Sequence, residues 1–257
     1  MAIDIASLVD YWFHQYTFTF NDVLAIALYT IAILVLFFTL CRTQFYDNDK
    51  KLAWAIGLLA SFFMTIVGAV YLYVMIPLSE FWNFFNPAPM RHFHAVNNFN
   101  VLVATAFATS NAVDLVVGML CYRKQLGLLT TFIHHPLYIW MMHFAVTSNG
   151  FFLTVPTPFA ACFILSGLEE LPTFLLALGT MYPAYRTDIG FGVTFFLFRI
   201  LLHGYYVYSY YIGGGHTTVV VLYSITFAMH LQWFYGWVTK YGSKLLGGGK
   251  KTSKKAA

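Results

Sequence analysis

Two adjacent histidines, His134 and His135, lie near the middle of an apolar segment that is long enough to cross a lipid bilayer. The segment covers residues 126–146 and reads QLGLLTTFIHHPLYIWMMHFA. Polar side chains at membrane depth cost free energy, so they usually mark functional sites. A neutral imidazole acts as a general base or as a nucleophile. The pattern predicts that this helix carries a catalytic or binding centre, with His134 and His135 as the reacting groups.

Six more ionisable residues reach a similar depth when the neighbouring segments are counted as helices at about 1.5 Å per residue. Because intramembrane charges usually face a bundle interior or a cavity, we expect one shared polar chamber. Arg199 or His230 would stabilise an oxyanion that develops there. One of the six residues is Asp114. The other five are predicted to bind substrate: Glu169, Glu170, Arg199, His203 and His230.

A structural interpretation exists for each of these residues taken singly. Asp114 and Arg199 would neutralise each other as an ion pair, and a buried histidine such as His203 commonly bonds across helices. One ion pair does not require further histidines and a pair of glutamates at the same depth. The combination therefore favours a functional site.

Prolines follow both polar pairs and interrupt the helices at the same depth. Pro136 leaves the carbonyl of Phe132 without its helical donor, and Pro172 does the same to the carbonyl of Leu168. Both carbonyls need new partners within protein or a cavity. Because adjacent helical residues diverge by about 100°, we expect at most one of His134 and His135 to point straight into the chamber.

The composition excludes a soluble domain and defines the fold class. The 257 residues are 60% hydrophobic and 9% charged, whereas soluble domains carry about 25% charged residues. The sequence predicts an all-α, polytopic transmembrane bundle that encloses a lipid cavity. Nucleic acid is not an expected partner. About seven spans are predicted, near 22–41, 53–76, 99–121, 126–146, 158–181, 190–212 and 217–239; six spans with a re-entrant segment at 147–157 is the alternative.

Charge asymmetry orients this bundle. We expect an interfacial lumenal segment at 1–21, the transmembrane domain at 22–240 and a flexible, basic cytosolic tail at 241–257. Lys254 and Lys255 stand fourth and third from the C-terminus, which resembles a dilysine signal of the endoplasmic reticulum that a coat-protein receptor binds. The alternative is a solvated tail that is attracted to anionic lipid. The sequence leaves a homo-oligomer open.

Acyl transfer to or from a long-chain lipid fits an imidazole at this depth, because the substrate must itself dissolve in the membrane. Acyl transfer by an imidazole needs no bound cofactor or metal ion. No two histidines stand at the three- or four-residue spacing that chelates a metal from one helix face. The sequence also has no Walker-type loop and no G-x-S-x-G nucleophile motif.

Several motifs in order resemble the TLC-domain family, which includes ceramide synthases, translocon-associated TRAM proteins and smaller TLC-domain membrane proteins. The motifs are Asp114 in NAVDLVVGMLCY, the loop YRKQLG, the His134–His135 pair, LSGLEELPTF and ITFAMHLQWFYGWV. The resemblance implies a helical bundle around a lipid cavity in the endoplasmic reticulum. It also implies acyl-CoA as co-substrate, His134 or His135 as the acyl-transferring group and Asp114 as its catalytic partner. The chain departs from the ceramide synthases at Pro136 and in having no acidic residue between the histidine pair and Glu169.

Two functions follow from these features. The first is a lipid acyltransferase with His134 and His135 at its centre. The second is a non-enzymatic lipid sensor, lipid carrier or cargo escort, in which the same chamber holds a sphingoid, phospholipid or fatty acyl head group without reaction. Both place the chain in lipid metabolism or lipid homeostasis.

Overall fold

A computed structural model describes residues 18–75, 98–147 and 159–245, and every regular element within these ranges is helical. The all-α prediction is confirmed for this part of the chain. The α-helices are α1 Phe20–Gln44, α2 Asp49–Leu52, α3 Ala55–Met75, α4 Asn98–Cys121, α5 His134–Val146, α6 Ala160–Leu165, α7 Leu171–Met181, α8 Asp188–Thr194, α9 His203–Ile212 and α10 Thr217–Leu245. Between them lie the 3-10 turns Arg123–Gln125, Ser166–Glu170 and Pro183–Tyr185 and the π-helical segments Leu128–Ile133 and Phe195–Leu202.

Polar caps define where several of these helices begin. Thr19 and Asp22 form a capping box at α1, in which the Thr19 hydroxyl accepts the Asp22 N–H and the Asp22 carboxylate accepts the Thr19 N–H. The Asn48 side chain caps α2, and the Thr187 hydroxyl caps α8 by accepting the Gly190 N–H at 3.0 Å. The apolar runs that follow these caps are the membrane-crossing segments.

Within the residues that the structure describes, six helical segments are long and apolar enough to cross a membrane, so the chain is a multi-pass membrane protein. The predicted segment 126–146 is also helical, over Leu128–Val146, but it is not among these six. The predicted count of seven spans is therefore not confirmed. The physical reason is composition, because His134, His135, His143 and Pro136 all lower the hydropathy of this helix.

The connectivity nevertheless carries the chain across the bundle at α5. Tyr122, directly after α4, and Met181, the last residue of α7, share one buried cluster, so both helices end on the same side. Phe144 near the end of α5 packs in another buried cluster with Phe159 and Ala161 at the start of α6. The helix Leu128–Val146 thus returns the chain from the first side to the opposite one.

Basic side chains collect at the end of the bundle where α1, α4, α7 and α10 finish, and we call this the basic end. Apart from Arg199, the lysine and arginine side chains that the structure describes all belong to it: Arg42, Lys50, Lys51, Arg123, Lys124, Arg186 and Lys240. Arg186 links the start of α8 to the end of α10 there, because its guanidinium donates to Asp188 at 2.9 Å and to Tyr241 at 3.1 Å. These hydrogen bonds raise the pKa of Arg186, so it is charged at any physiological pH.

Close backbone contact joins α3 to the segment that carries the glutamates. The 3-10 turn Ser166–Glu170 packs on α3, where Gly68 and Gly167 allow the two backbones to approach. A Cβ atom at Gly68 would lie 2.8 Å from the backbone nitrogen of Leu168. Only a residue without a side chain fits there, and this contact sets the position of Glu169 and Glu170 against the rest of the bundle.

Several predicted features fall outside the described residues. These are the interfacial segment before residue 18, the re-entrant alternative at 147–157 beyond Thr147, and the tail with Lys254 and Lys255. The predicted tail begins at 241, whereas helix α10 continues to Leu245. The first turn of that tail is therefore helical.

We expect Gly68→Ala to lower the stability of the fold by about 1–3 kcal/mol, because the added methyl group meets backbone that cannot move aside. Gly57→Ala on the same helix is the matched control, since its Cβ would meet nothing within 4 Å. Helix propensity alone would make both variants more stable by up to about 1 kcal/mol. Thermal unfolding in detergent measures the difference, and equal melting temperatures for the two variants would contradict the close approach.

Candidate functional site

A cavity of about 640 Å³ opens at the basic end and extends to the middle of the bundle. Lys50 and Gln125 lie at its outer part, and Glu170 and Arg199 lie at its inner part. Its walls come from α3, α4, the segment Leu128–His135, α7, the Asp188–Ile212 span and α10. Apolar residues contribute much of the wall, including Ile56, Ala60, Phe107, Leu126, Leu176 and Phe195. The volume is in the range of ligand pockets.

Both central histidines line this cavity, as the predicted catalytic role requires. Their ring centroids are 5.8 Å apart. His134 packs against Tyr138 and Trp233, while His135 faces Asp114. The cavity follows the curved surface of the helix, which brings two side chains that diverge by about 100° into one space. Each histidine has a buried Nδ1 without a hydrogen-bond partner among the described residues.

Asp114 also lines the cavity, but its partner differs from the one expected for an ion pair. Its carboxylate accepts a hydrogen bond of 2.6 Å from the Tyr122 hydroxyl, and its other oxygen lies 3.7 Å from Nε2 of His135. The interpretation of Asp114 and Arg199 as a mutually neutralising pair is wrong. At 3.7 Å the contact with His135 is longer than a hydrogen bond. Tyr122 holds the carboxylate that would orient the imidazole.

Arg199 is buried and makes a set of three hydrogen bonds to the glutamate segment. Its Nε donates to the backbone carbonyl of Glu169 at 2.7 Å. Its Nη2 donates to Oε1 of Glu170 at 3.1 Å and to the Thr173 hydroxyl at 2.6 Å. Such charge-assisted bonds offset the cost of burying a guanidinium at this depth. Arg199 therefore closes the inner end of the cavity as a fixed cation.

Glu169, His203 and His230 form a separate cluster that does not belong to the cavity wall. Oε2 of Glu169 lies 2.7 Å from Nδ1 of His203 and 3.8 Å from Nδ1 of His230. The three side chains are no more than 3% exposed. The predicted substrate-binding set thus divides into two groups. Glu170 and Arg199 face the cavity, whereas Glu169, His203 and His230 lie away from it.

Irregular helical turns coincide with the central histidines, the glutamates and Arg199, whereas Asp114 and His230 lie in regular α-helices. A π-helical segment ends directly before His134, whose N–H donates to the carbonyl of Leu129 five residues earlier. Another π-helical segment contains Arg199, and a 3-10 turn contains both glutamates. Such turns change the angle between successive side chains and often occur at functional sites. They allow neighbours in sequence to reach different partners.

The 3-10 turn also provides a partner for the carbonyl that Pro172 was expected to leave without a donor. The carbonyl of Leu168, which Pro172 deprives of its helical donor, accepts the N–H of Leu171 instead. It therefore needs no partner from a cavity. Pro172 itself stands in the first turn of α7, where a missing N–H has no cost.

Sequence reasoning missed four side chains that complete the site. Tyr122 donates to Asp114, Thr173 accepts from Arg199, Thr226 lies 3.1 Å from Nε2 of His203, and Trp233 packs on His134. Tyr122 follows Asp114 by eight residues, about two helical turns, and that spacing was a usable signal. The other three depend on contacts between helices that sequence spacing does not reveal.

Comparisons with protein-family models, with curated proteins and with solved structures found no match to this chain.

Arg199→Met is expected to destabilise the protein by about 3–5 kcal/mol, because it leaves Glu170 buried without a cation. Arg186→Met is the matched control. The Arg186–Asp188 side chains are 47% and 43% exposed, against 7% and 10% for Arg199 and Glu170, so its loss should cost under about 1 kcal/mol. Denaturant unfolding of the protein in micelles measures both values.

The double variant Arg199→Met/Glu170→Gln checks the cause. We expect it to be more stable than Arg199→Met alone, since the orphaned carboxylate is gone. If the stability loss of the double variant equals the sum of the losses of Arg199→Met and Glu170→Gln, the two residues are not a coupled pair.

Proposed function

We propose that this chain is a membrane enzyme of lipid metabolism that transfers a long-chain acyl group, with His134 or His135 as the acyl-accepting residue. The observation that supports this most is that both imidazoles line a cavity of about 640 Å³, together with Asp114, Glu170 and Arg199. Nδ1 of each imidazole lacks a hydrogen-bond partner among the described residues. Two unengaged imidazoles in a cavity with apolar walls suit a nucleophile for a lipid substrate.

The chemistry balances with an acyl thioester such as acyl-CoA as donor. An imidazole nitrogen attacks the thioester carbonyl, the carbon–sulfur bond breaks, and the thiolate leaves with the proton of the imidazole. The amine or hydroxyl of a lipid acceptor then attacks the acyl-imidazole and returns its proton to the ring. Arg199 provides a buried positive charge at the inner end of the cavity, which favours the negative oxygen that develops in each step.

The cavity shape supports a substrate with a polar head and a long apolar chain. Lys50 and Gln125 give its outer part at the basic end a polar character, and aromatic and aliphatic residues line the part between them and Arg199. Under the positive-inside rule the basic end faces the cytosol. A water-soluble donor would then enter from the cytosol, while the acceptor enters from the membrane.

The sequence motifs support assignment to the TLC-domain type, and the terminal Lys254 and Lys255 support residence in the endoplasmic reticulum. Both assignments are part of the proposal. In this arrangement the C-terminus is cytosolic, where a coat-protein receptor would bind the dilysine tail.

A second candidate function is lipid binding without reaction, in a sensor, carrier or cargo escort. One observation favours it. The Asp114 carboxylate accepts from Tyr122 at 2.6 Å and stays 3.7 Å from His135, so no carboxylate–imidazole dyad is formed. A head group held among these side chains would then make polar contacts only.

Replacing the central histidines separates the two functions. With purified protein, a long-chain acyl-CoA and a panel of lipid acceptors, we expect His134→Ala or His135→Ala, and the double variant, to lower turnover by about 10²- to 10⁴-fold. His143→Ala is the control, because His143 is on the same helix but exposed. Intact mass spectrometry should find an acyl adduct on the wild type that hydroxylamine removes and the inactive variant lacks.

Two outcomes would contradict the enzyme. One is full turnover by both single variants and by the double variant. The other is a wild-type protein that turns over no acyl donor yet retains an intact lipid through purification, which would favour the carrier.

Gly236→Leu should reduce the capacity of the cavity for long chains. Gly236 lines the cavity, and a Cβ atom there would meet nothing within 4 Å, so a leucine side chain would occupy the empty space. Each displaced methylene costs about 0.8 kcal/mol, so displacing two weakens binding of the longest chains by about tenfold. Competition between acyl chains of different length measures the change. Gly242→Leu, outside the cavity wall, should keep the wild-type preference for acyl-chain length. An unchanged chain-length preference in Gly236→Leu would mean that the acyl chain binds elsewhere.

A further inference from the structure

Three metal-ligating side chains from three different spans meet behind the cavity. Glu169 belongs to the Ala160–Met181 span, His203 to Asp188–Ile212 and His230 to α10. One ligand atom from each lies within 4.8 Å of the others, and all three residues are buried. Two imidazoles and a carboxylate are a donor set that binds divalent first-row transition metals.

The hydrogen bonds of His203 show which way its lone pair points. Its Nε2 lies 2.9 Å from the backbone carbonyl of Tyr223, and a carbonyl only accepts, so Nε2 carries the hydrogen. In the neutral ring Nδ1 is then an acceptor, yet it faces Oε2 of Glu169 at 2.7 Å. At this distance the two atoms share a proton in a hydrogen bond, and a metal ion that replaced this proton would have to move them apart. Histidines that bind metals are oriented in the same way, with the second ring N–H donating to a backbone carbonyl.

Other donors of the cluster are not fully engaged. Oε1 of Glu169 has no hydrogen-bond partner among the described residues, and the ring nitrogens of His230 make no well-aligned hydrogen bond there, although the ring interacts with the backbone of Arg199. Unpartnered polar atoms buried this deeply are costly unless something binds them. The formal charges point the same way, because Glu169 and Glu170 outweigh the one cation, Arg199, by one negative charge.

We propose that Glu169, His203 and His230 bind one divalent first-row transition-metal ion, with Zn²⁺ and Fe²⁺ as the two ions that this donor set suits best. Tetrahedral ligands around such an ion lie about 3.4 Å apart. The contact of 2.7 Å between Glu169 and His203 has to open by about 0.7 Å, and that of 3.8 Å between Glu169 and His230 has to close by about 0.4 Å. Oε1 of Glu169 supplies a fourth donor if the carboxylate binds through both oxygens.

The ion would link three spans rather than contact substrate. None of its three ligands lines the cavity. Two neighbours of Glu169 do line it: Glu170, the next residue, and Arg199, which donates a hydrogen bond to the Glu169 carbonyl. The metal would thus hold the inner end of the cavity in place. Its presence is independent of whether the chain transfers acyl groups.

Metal content of the full-length protein, purified with a tag that contains no histidine, tests the proposal. We expect about one ion of zinc or iron per chain in the wild type. His230→Ala should lower that content by about tenfold or more. His134→Ala is the matched control, because it removes a cavity histidine that is not a ligand and should leave the metal in place. Loss of turnover with retained metal in that control also separates this proposal from the proposed function.

A second measurement avoids any folding defect of the variant. Treating the wild type with a chelator should lower its melting temperature, and an equimolar amount of Zn²⁺ or Fe²⁺ should restore it. The ion that restores it identifies the metal. A wild type that contains no metal and whose melting temperature does not respond to either ion would overturn the proposal, and so would wild-type metal content in His230→Ala. A proton shared by Glu169 and His203 would then remain between them.

Discussion

The buried guanidinium of Arg199 is the constraint on which the centre of this bundle depends. A cation at the middle of a membrane protein is stable only when several acceptors surround it, and here the Glu169 carbonyl, Glu170 and Thr173 do so. All three belong to one short stretch of a neighbouring span. That stretch is in turn held against α3 at Gly68 and Gly167. One charge therefore determines how three spans lie against each other.

Irregular helix geometry is the means by which adjacent residues serve different partners. Glu169 and Glu170 are adjacent, so their side chains diverge by about 100° in a regular helix and by about 120° in a 3-10 turn. In the 3-10 turn the Glu169 carbonyl and the Glu170 carboxylate both bind Arg199, while the Glu169 carboxylate faces His203. The π-helical segments before His134 and around Arg199 shift side chains in a similar way. The polar cluster and the irregular turns thus depend on each other.

The sequence was sufficient to predict the helices but not the partners. Apolar length alone placed the long helical segments within a few residues, because bilayer thickness is a strong constraint. Asp114, Arg199 and the two central histidines, which residue counting predicted to lie close together, line one cavity. The pairing did not follow, since Asp114 binds Tyr122 rather than Arg199. Pairing depends on how far each helix is rotated, and the 3-10 and π turns that set this rotation have no clear signal in the sequence.

Tyr122 also connects the cavity to the outermost helix. Its hydroxyl donates to Asp114, and its ring packs on Phe38 of α1 with centroids 6.1 Å apart. Helix α1 is the least buried of the six candidate spans, at 11%, so its tilt follows the surrounding lipid more freely than that of the others. A thinner or thicker bilayer that reorients α1 therefore displaces the Phe38–Tyr122 pair. Tyr122 in turn holds the Asp114 carboxylate in the cavity. Membrane thickness is in this way mechanically connected to the residue that faces His135.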